Sequence, residues 1–219
     1  MLSTHPKPRT YRIVGPQRKI DERETPHPRV DRGELGEKLK SWRKSRMDVD
    51  PFRRVFGGGG SEEISYNSLY DIYKNLPEGR VNPRKIPVTD PARMARNIKE
   101  IARFFGADVV GITHLDQAYV YSHRARGNAA VGEKNGDPID LPHRYAICLG
   151  FESDYEKFLT NNSRISDAEY SLGNIHSLQP TFLLAAYIRE MGYPARTHGF
   201  GRFEVNPIPL AVNAGLGEL

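Results

Sequence analysis

The sequence has almost no cysteine: Cys148 is the single one among 219 residues. A lone cysteine cannot form an internal disulfide, and there is no Cys-x-x-Cys pair to hold zinc or an iron–sulfur cluster. Cys148 lies in an apolar stretch, residues 144–151, which is typical of a buried strand. We therefore expect a packed thiol and not a nucleophile.

Long apolar runs are lacking as well. None reaches the length of a membrane-spanning helix, and the first residues contain neither the apolar core of a signal peptide nor a twin-arginine pair. As written, the sequence predicts a cytoplasmic protein. If a twin-arginine leader is missing, the expected place is instead the outer face of a membrane.

Common catalytic motifs are missing too. Neither standard phosphate-binding loop occurs, and there is no nucleophile elbow. The seven histidines are scattered, and His176 and His198 have no partner three or four residues away. We predict no metal site and expect the histidines to be structural or exposed.

Positive charge is concentrated at the start of the chain. Residues 1–60 contain 15 Lys and Arg against 8 Asp and Glu, whereas the whole chain has a net charge of +5. A basic arm can bind nucleic acid or an anionic membrane, but acidic residues are interspersed here, which favours a solvated extension. We divide the chain into an extended basic N-terminal arm (1–60), a connector (61–90) and a folded domain (91–219).

The apolar pattern predicts an α/β fold. The arm contains one short helix near residues 33–46. In the body we expect a helix capped by Asp90 and ended by Gly106, a strand at 107–113, a long loop or short hairpin at 114–143 and a second strand at 144–151.

A long helix follows at residues 166–191. Ser166 and Glu169 match a capping box, Pro180 should kink or divide the helix, and Gly192 should end it. Residues 193–198 then read as a short strand. The tail from Asn206 begins with prolines and continues as a short helix ending in glycines.

Four segments resemble the corrinoid and iron–sulfur reductive dehalogenase family. The entry segment Tyr11–Thr25 is similar to that of mature members, and residues 92–113 resemble the family's helix and "GA-x-x-VGI" strand. Residues 188–195 are similar to "IR-x-LGY-x-A". Residues 209–218 resemble "P-x-A-x-x-AGLGE", which is the most specific of the four, although epoxyqueuosine reductase has a similar segment.

The resemblance implies the N-terminal portion of a catalytic subunit with a nitroreductase-like, corrinoid-binding core. The complete enzyme would replace carbon-bound halogen with hydrogen, using a corrinoid (cobalamin) and electrons from two [4Fe–4S] clusters. A ferredoxin-like segment with eight cysteines should hold the clusters. That segment is absent here, so we expect a truncated and inactive fragment.

The family's motifs also imply site residues. Tyr170, in residues 168–173, matches by its position the tyrosine that donates a proton in the family. A phenol suits that role because it is a neutral donor. The alternative for Tyr170 is an aromatic that packs at the start of the helix. His198 stands where other members often have asparagine, so its orienting contact is in doubt. The other expected pocket residues are Thr197, Phe200, Asn206, Gly215 and Gly217.

Two other functions stay open. One is a tRNA-modifying enzyme of the epoxyqueuosine reductase type, although the near-neutral body does not favour nucleic acid. The other is a non-catalytic corrinoid-binding remnant. As partners we expect a small halogenated organic substrate and an electron donor, with a membrane anchor protein and a homodimer left open, and no nucleic acid.

Overall fold

A computed structural model describes residues 14–48, 77–127, 132–161, 163–199 and 203–218. Six α-helices and two strands lie in these ranges. In chain order they are α1 (Pro26–Asp31), α2 (Glu37–Asp48), α3 (Pro91–Phe104), β1 (Val109–His114), β2 (Tyr145–Gly150), α4 (Tyr155–Leu159), α5 (Arg164–Glu190) and α6 (Pro207–Asn213). The predicted mixed α/β class is confirmed.

The two strands form an antiparallel pair that separates two apolar cores. Val110 pairs with Leu149, and Gly111 pairs with Cys148. Because neighbouring residues of a strand point to opposite faces, these pairs lie on opposite sides of the sheet. The body therefore has three layers: helices on one face, the two strands in the middle, and α6 with its loops on the other face.

The first core joins α3 and α5 to the sheet. Ile98 and Ala102 of α3 pack with Val110 of β1 and with Leu184 of α5, and all four are buried. Asp90 caps α3 by accepting a hydrogen bond from the main-chain N–H of Arg93 at 3.0 Å. The predicted start of this helix is confirmed, as is its end at Gly106, which has a φ of 112°.

The second core lies under α6. Its buried members are Val120, Ile139, Leu141, Val205 and Leu210. The close approach of the chain end to β1 requires a glycine in the strand. A Cβ at Gly111 would lie 2.6 Å from the Cβ of Ala214.

The long helix differs from its prediction at two points. It begins at Arg164, because Ser163 and not Ser166 is the cap, its side chain accepting from the N–H of Ser166. The helix also continues through Pro180 and is not divided. Pro180 is buried there, and its side chain lies against Gly106, so packing outweighs the missing hydrogen bond.

Residues 193–198 are irregular, and the predicted short strand is wrong. The N–H of Thr197 donates to the carbonyl oxygen of Pro77 at 2.9 Å, and the side chain of Arg189 donates to the carbonyl oxygen of Ala195 at 3.0 Å. These isolated hydrogen bonds take the place of the regular hydrogen-bond ladder of a β-strand. The predicted tail helix is confirmed as α6.

Part of the N-terminal arm packs against the body. The predicted helix is present as α2, with α1 before it. Ahead of α1, the N–H of Ser122 donates to the carbonyl oxygen of Ile20 at 2.8 Å, and the N–H of Glu22 donates to the carbonyl oxygen of His123 at 3.1 Å. The arm contacts the segment that was predicted to be a long loop or a short hairpin. His123 and Pro138 form an antiparallel bridge there, and the N–H of Ile139 donates to the carbonyl oxygen of Ser122 at 3.0 Å, so we call this segment the hairpin.

Candidate functional site

A small, partly open cleft with a cavity volume of about 20 Å³ lies between the arm, the hairpin and the segment after α5. Charged side chains dominate its wall. The lining residues are Glu22, Pro77, Arg124, Arg126, Glu133, Arg196, Thr197, His198, Phe203 and Glu204. Of the pocket residues predicted from the sequence, the structure brings Thr197 and His198 together here.

Four of these side chains form a closed ring of alternating charge, which we call the ion ring: Arg124, Glu133, Arg196 and Glu204. Arg124 contacts Glu204 at 2.6 Å and Glu133 at 2.9 Å. Arg196 contacts Glu204 at 2.7 Å and Glu133 at 3.0 Å. Each arginine therefore bridges both glutamates.

The ion ring is largely shielded from solvent. Side-chain exposure is 12% for Arg124 and 8% for Glu204. Burying a single charge is costly, but two positive and two negative groups in mutual contact balance one another. Burial acts to lower the pKa of Arg196, but the carboxylate of Glu204, with Glu78 and Glu133, outweighs it and raises that pKa.

His198 lies in the same wall and is uncharged at neutral pH. Burial, followed by the positive charges of Arg196 and His143, lowers its pKa to about 3, although Glu78 opposes the shift. A neutral imidazole has one donor nitrogen and one acceptor nitrogen. His198 can therefore orient a polar group of a ligand without adding charge to the cleft.

Thr197 is fixed by the segment that precedes α3. Its main-chain N–H and its hydroxyl both point to the carbonyl oxygen of Pro77, at 2.9 and 3.4 Å. The Thr197 hydroxyl therefore already donates its hydrogen to the protein and can offer a ligand only an acceptor. The predicted pocket residue Phe200 lies outside the described residues, whereas Phe203 lines the cleft.

Tyr170 lies elsewhere. It is on the first half of α5, its side chain is 61% exposed, and it is not part of the cleft wall. Its carbonyl oxygen accepts a hydrogen bond from the side chain of Asn174 at 3.0 Å. The helix start that carries it is held by the buried Glu169, which accepts from the N–H of Asp154 at 2.8 Å.

The three remaining predicted residues flank α6. Asn206 is the residue before the helix, and its main-chain N–H donates to the carbonyl oxygen of Tyr119 at 2.8 Å. Gly215 has a φ of 79° and ends the helix. A Cβ added at Gly215 or at Gly217 would meet no described atom within 4 Å, so both glycines border open space.

The ion ring was not predicted from the sequence. Arg124 and Glu204 are 80 residues apart, and Glu133 lies 63 residues before Arg196. No short motif joins them, and isolated charges in loops are typical of a solvated surface. Only the tertiary structure brings these four side chains together.

Among the described residues, no group of three or more His, Cys, Asp and Glu side chains could hold a metal ion. Cys148 is half-buried in β2, and burial raises the pKa of its thiol to about 11. A cysteine binds a metal ion as its thiolate, so an environment that raises the thiol pKa disfavours metal binding by Cys148. No helix in the described ranges is long and apolar enough to cross a membrane.

No family model matches the chain. Curated relatives do. The tetrachloroethene reductive dehalogenase of Dehalobacter restrictus is 28% identical over 156 residues, which cover 57% of this chain and 28% of that protein. The enzyme of the same name from Sulfurospirillum multivorans is 24% identical over 228 residues, which cover 86% of this chain and 44% of that protein.

Solved structures give a similar result. The catabolic reductive dehalogenase NpRdhA matches with a TM-score of 0.74 and 26% identity, over 92% of this chain and 27% of that one. A reductive dehalogenase structure described as suggesting a mechanism for B12-dependent dehalogenation matches with the same TM-score and 25% identity.

These relatives and structures share one class, the dehalogenating oxidoreductases. The chain is similar to these reductive dehalogenases in sequence and in fold, and the family resemblance predicted from the sequence is confirmed. The chain spans about a quarter to under half of the length of the relatives it matches.

Proposed function

We propose that this chain is the corrinoid-binding part of a reductive dehalogenase, which replaces carbon-bound halogen with hydrogen. The observation that carries this proposal is the structural match over 92% of the chain with a TM-score of 0.74. A match of that extent is not limited to one common motif. We also infer that the three-layered body is part of a nitroreductase-like core.

The end of α6 is suited to a large planar cofactor. Gly215 and Gly217 border open space, and no described atom prevents a side chain at either position. Glycine lets a ligand approach the main chain closely, because no Cβ stands between them. Together with Asn206 before α6, these glycines are the residues that we infer hold the corrinoid.

Iron–sulfur clusters do not fit the described residues. A [4Fe–4S] cluster needs four cysteine thiolates, and the sequence contains one cysteine, whose raised pKa disfavours the thiolate. The electrons for the reaction would therefore come from a redox centre that the residues of this sequence do not hold. No step is assigned to a cluster in this chain.

A bound corrinoid would supply the low-valent cobalt chemistry needed to break a carbon–halogen bond. This chain supplies a proton and a shaped pocket. The phenol of Tyr170 is a neutral acid, and its 61% exposure leaves it free to meet a group that covers α5. Proton transfer to carbon from Tyr170 needs a covering group that excludes water and brings the substrate within hydrogen-bonding reach of the phenol. Tyr170 does not line the Thr197–His198 cleft, so the donor and the cleft serve one substrate only if that covering group spans both.

We infer that the cleft wall contributes contacts to one part of a small halogenated organic substrate, because its volume of about 20 Å³ is too small to enclose the molecule. The neutral His198 and the hydroxyl of Thr197 offer polar contacts, and Phe203 offers an apolar one. One structural neighbour was determined in complex with 3-bromo-4-hydroxybenzoic acid. We infer that His198 orients a polar group of the substrate in place of the asparagine of other members.

The test is halide release by a complete enzyme that contains this chain, produced with a corrinoid. Tyr170→Phe should reduce turnover at least about a hundredfold while the cobalt content stays unchanged. Tyr155→Phe is the matched control, because Tyr155 is also exposed, at 70%, on the neighbouring α4. Wild-type turnover in Tyr170→Phe would exclude Tyr170 as the donor. Failure of the complete enzyme to bind a corrinoid would contradict the proposed function itself.

A further inference from the structure

The ion ring joins segments that are far apart in the sequence. Arg124 and Glu133 lie at the two sides of the hairpin end, Arg196 lies directly before Thr197 and His198, and Glu204 lies directly before the buried Val205. Contacts within the ring therefore decide where the Thr197–His198 wall of the cleft stands relative to the hairpin.

Glu204 is the anchored member of the ring. Its carbonyl oxygen accepts a hydrogen bond from the N–H of Tyr121 at 2.9 Å, and the next residue, Val205, pairs with the fully buried Val120. The carboxylate of Glu204 thus projects from a main chain that is fixed to the second core. A side chain that binds the Glu204 carboxylate is therefore held to the second core as well.

Arg196 is the member that depends on the others. Among the described residues, 193–198 have no strand partner, and the main-chain hydrogen bonds there join Tyr193 to Ile188 and Thr197 to Pro77. Its guanidinium binds Glu204 and Glu133 inside the ring and also Glu78 outside it. Glu78 is 64% exposed and follows Pro77, the acceptor of the Thr197 hydrogen bonds, so it adds a contact of little strength.

We propose that Arg196 and Glu204 are positioning residues: their ion pair fixes the Thr197–His198 wall of the cleft to the second core. Glu133 also contacts Arg196, at 3.0 Å, but neither Glu133 nor Arg124 is a buried member of the second core, so these two residues complete the charge balance and do not tie the wall to that core. The claim that this wall faces the substrate rests on the proposed function. The claim that the ion pair positions the wall does not.

Two charge-balanced double variants separate these roles. Arg196→Gln with Glu204→Gln removes the positioning pair and leaves Arg124 paired with Glu133. Arg124→Gln with Glu133→Gln removes the other pair and leaves Arg196 paired with Glu204. Each variant loses one positive and one negative charge from the same ring, so neither leaves a buried charge unbalanced.

The first measurement is hydrogen exchange at two main-chain amides of the 219-residue chain. The Thr197 amide, which donates to Pro77, reports on the wall, and the Tyr121 amide, which donates to Glu204, reports on the core. In the Arg196/Glu204 variant, we expect Thr197 to exchange at least about tenfold faster while Tyr121 is unchanged. In the Arg124/Glu133 variant, neither amide should change.

The second measurement is the pH titration of the His198 ring by NMR. The charge of Arg196 contributes to the low pKa of His198, together with burial and His143 and against Glu78. The Arg196/Glu204 variant should raise that pKa above about 3, and the Arg124/Glu133 variant should not. This shift reports the loss of the Arg196 charge beside His198 in the folded chain, so the two amides decide whether the pair positions the wall.

Equal effects of the two variants on the Thr197 amide would overturn the proposal, and so would an unchanged Thr197 amide in the Arg196/Glu204 variant. Faster exchange of Tyr121 together with Thr197 would also overturn it, because the pair would then support the whole core. Both measurements need neither corrinoid nor substrate, so their outcome is independent of whether the complete enzyme releases halide.

Discussion

The carboxylate of Glu22 accepts a hydrogen bond from the main-chain N–H of Ala125 at 2.6 Å, across 103 residues of sequence. Burial raises the pKa of Glu22, and the Ala125 hydrogen bond with the charges of Arg126 and Arg124 only partly opposes that shift. The N-terminal arm thus reaches the cleft through a carboxylate that is partly desolvated.

Glu22→Gln should stabilise the chain at neutral pH, because the amide keeps the acceptor oxygen and removes a buried charge. A raised pKa in the folded state means that the Glu22 contribution is fully present below the unfolded value of 4.5 and is lost as pH rises through the folded value. The advantage of the variant in urea unfolding should therefore grow from pH 4 to pH 7.

Glu24→Gln is the control for this change, since Glu24 is exposed in the same turn. It should show no such growth with pH. A Glu22→Gln protein that is less stable than wild type at pH 7 would mean that attraction to the two arginines outweighs burial.

Glu169 should produce the opposite pH dependence. The hydrogen bond from the Asp154 N–H lowers its pKa, and Lys157 adds to the shift against desolvation. A lowered pKa gives stability that is present above the unfolded value of 4.5 and is lost as pH falls through the folded value. Glu169→Gln should therefore flatten the acid side of the stability profile in thermal unfolding.

The control for Glu169 is the exposed Glu156 on the neighbouring α4, whose Gln variant should keep the wild-type profile. If Glu169→Gln loses stability equally at pH 3 and pH 7, the hydrogen bond and not the charge is the source of the contribution. The same measurement then reports on the loss of the contact to Asp154.

The first core should depend on Leu184 of α5. Leu184 is 4% exposed and packs with α3 and β1. Leu184→Ala should reduce the free energy of unfolding by about 2–5 kcal/mol, because the lost burial leaves a cavity. Phe104→Ala changes a larger apolar side chain that is 86% exposed, and it should have almost no effect in the same denaturant titration.

The two glycines that contact or border the end of α6 should behave differently. Gly111→Ala places a Cβ 2.6 Å from the Cβ of Ala214, so it should lower stability by about 1–3 kcal/mol. Gly217→Ala meets no described atom and should leave the chain alone unchanged. In the complete protein, however, Gly217→Ala should lower corrinoid retention, measured as cobalt per chain. Full cobalt content there would exclude close approach of the cofactor at Gly217.

The sequence predicted best the elements whose causes are local. Asp90 and Gly106 mark the two ends of α3, and both positions are confirmed. Errors arose where distant contacts decide. Ser166 has good capping chemistry, but Ser163 takes that place, and Pro180 is tolerated inside α5 because it is buried.

The candidate site was less predictable. Thr197 and His198 were identified through the family resemblance, and the structure places both in one cleft wall. Tyr170 does not line that cleft, and Phe200 lies outside the described residues, so these predictions stay untested. The ion ring could not be foreseen, because a charged residue in a loop has no local pattern that indicates burial.

The ion ring has a consequence for how the chain folds. Arg124 leaves the ribosome 80 residues before Glu204, an interval of roughly 4–16 s at ordinary rates of synthesis. The ring cannot close before Glu204 has been made, and by then the residues of β1, β2 and α5 have all been synthesised. The ring is therefore completed only after those elements are available to fold.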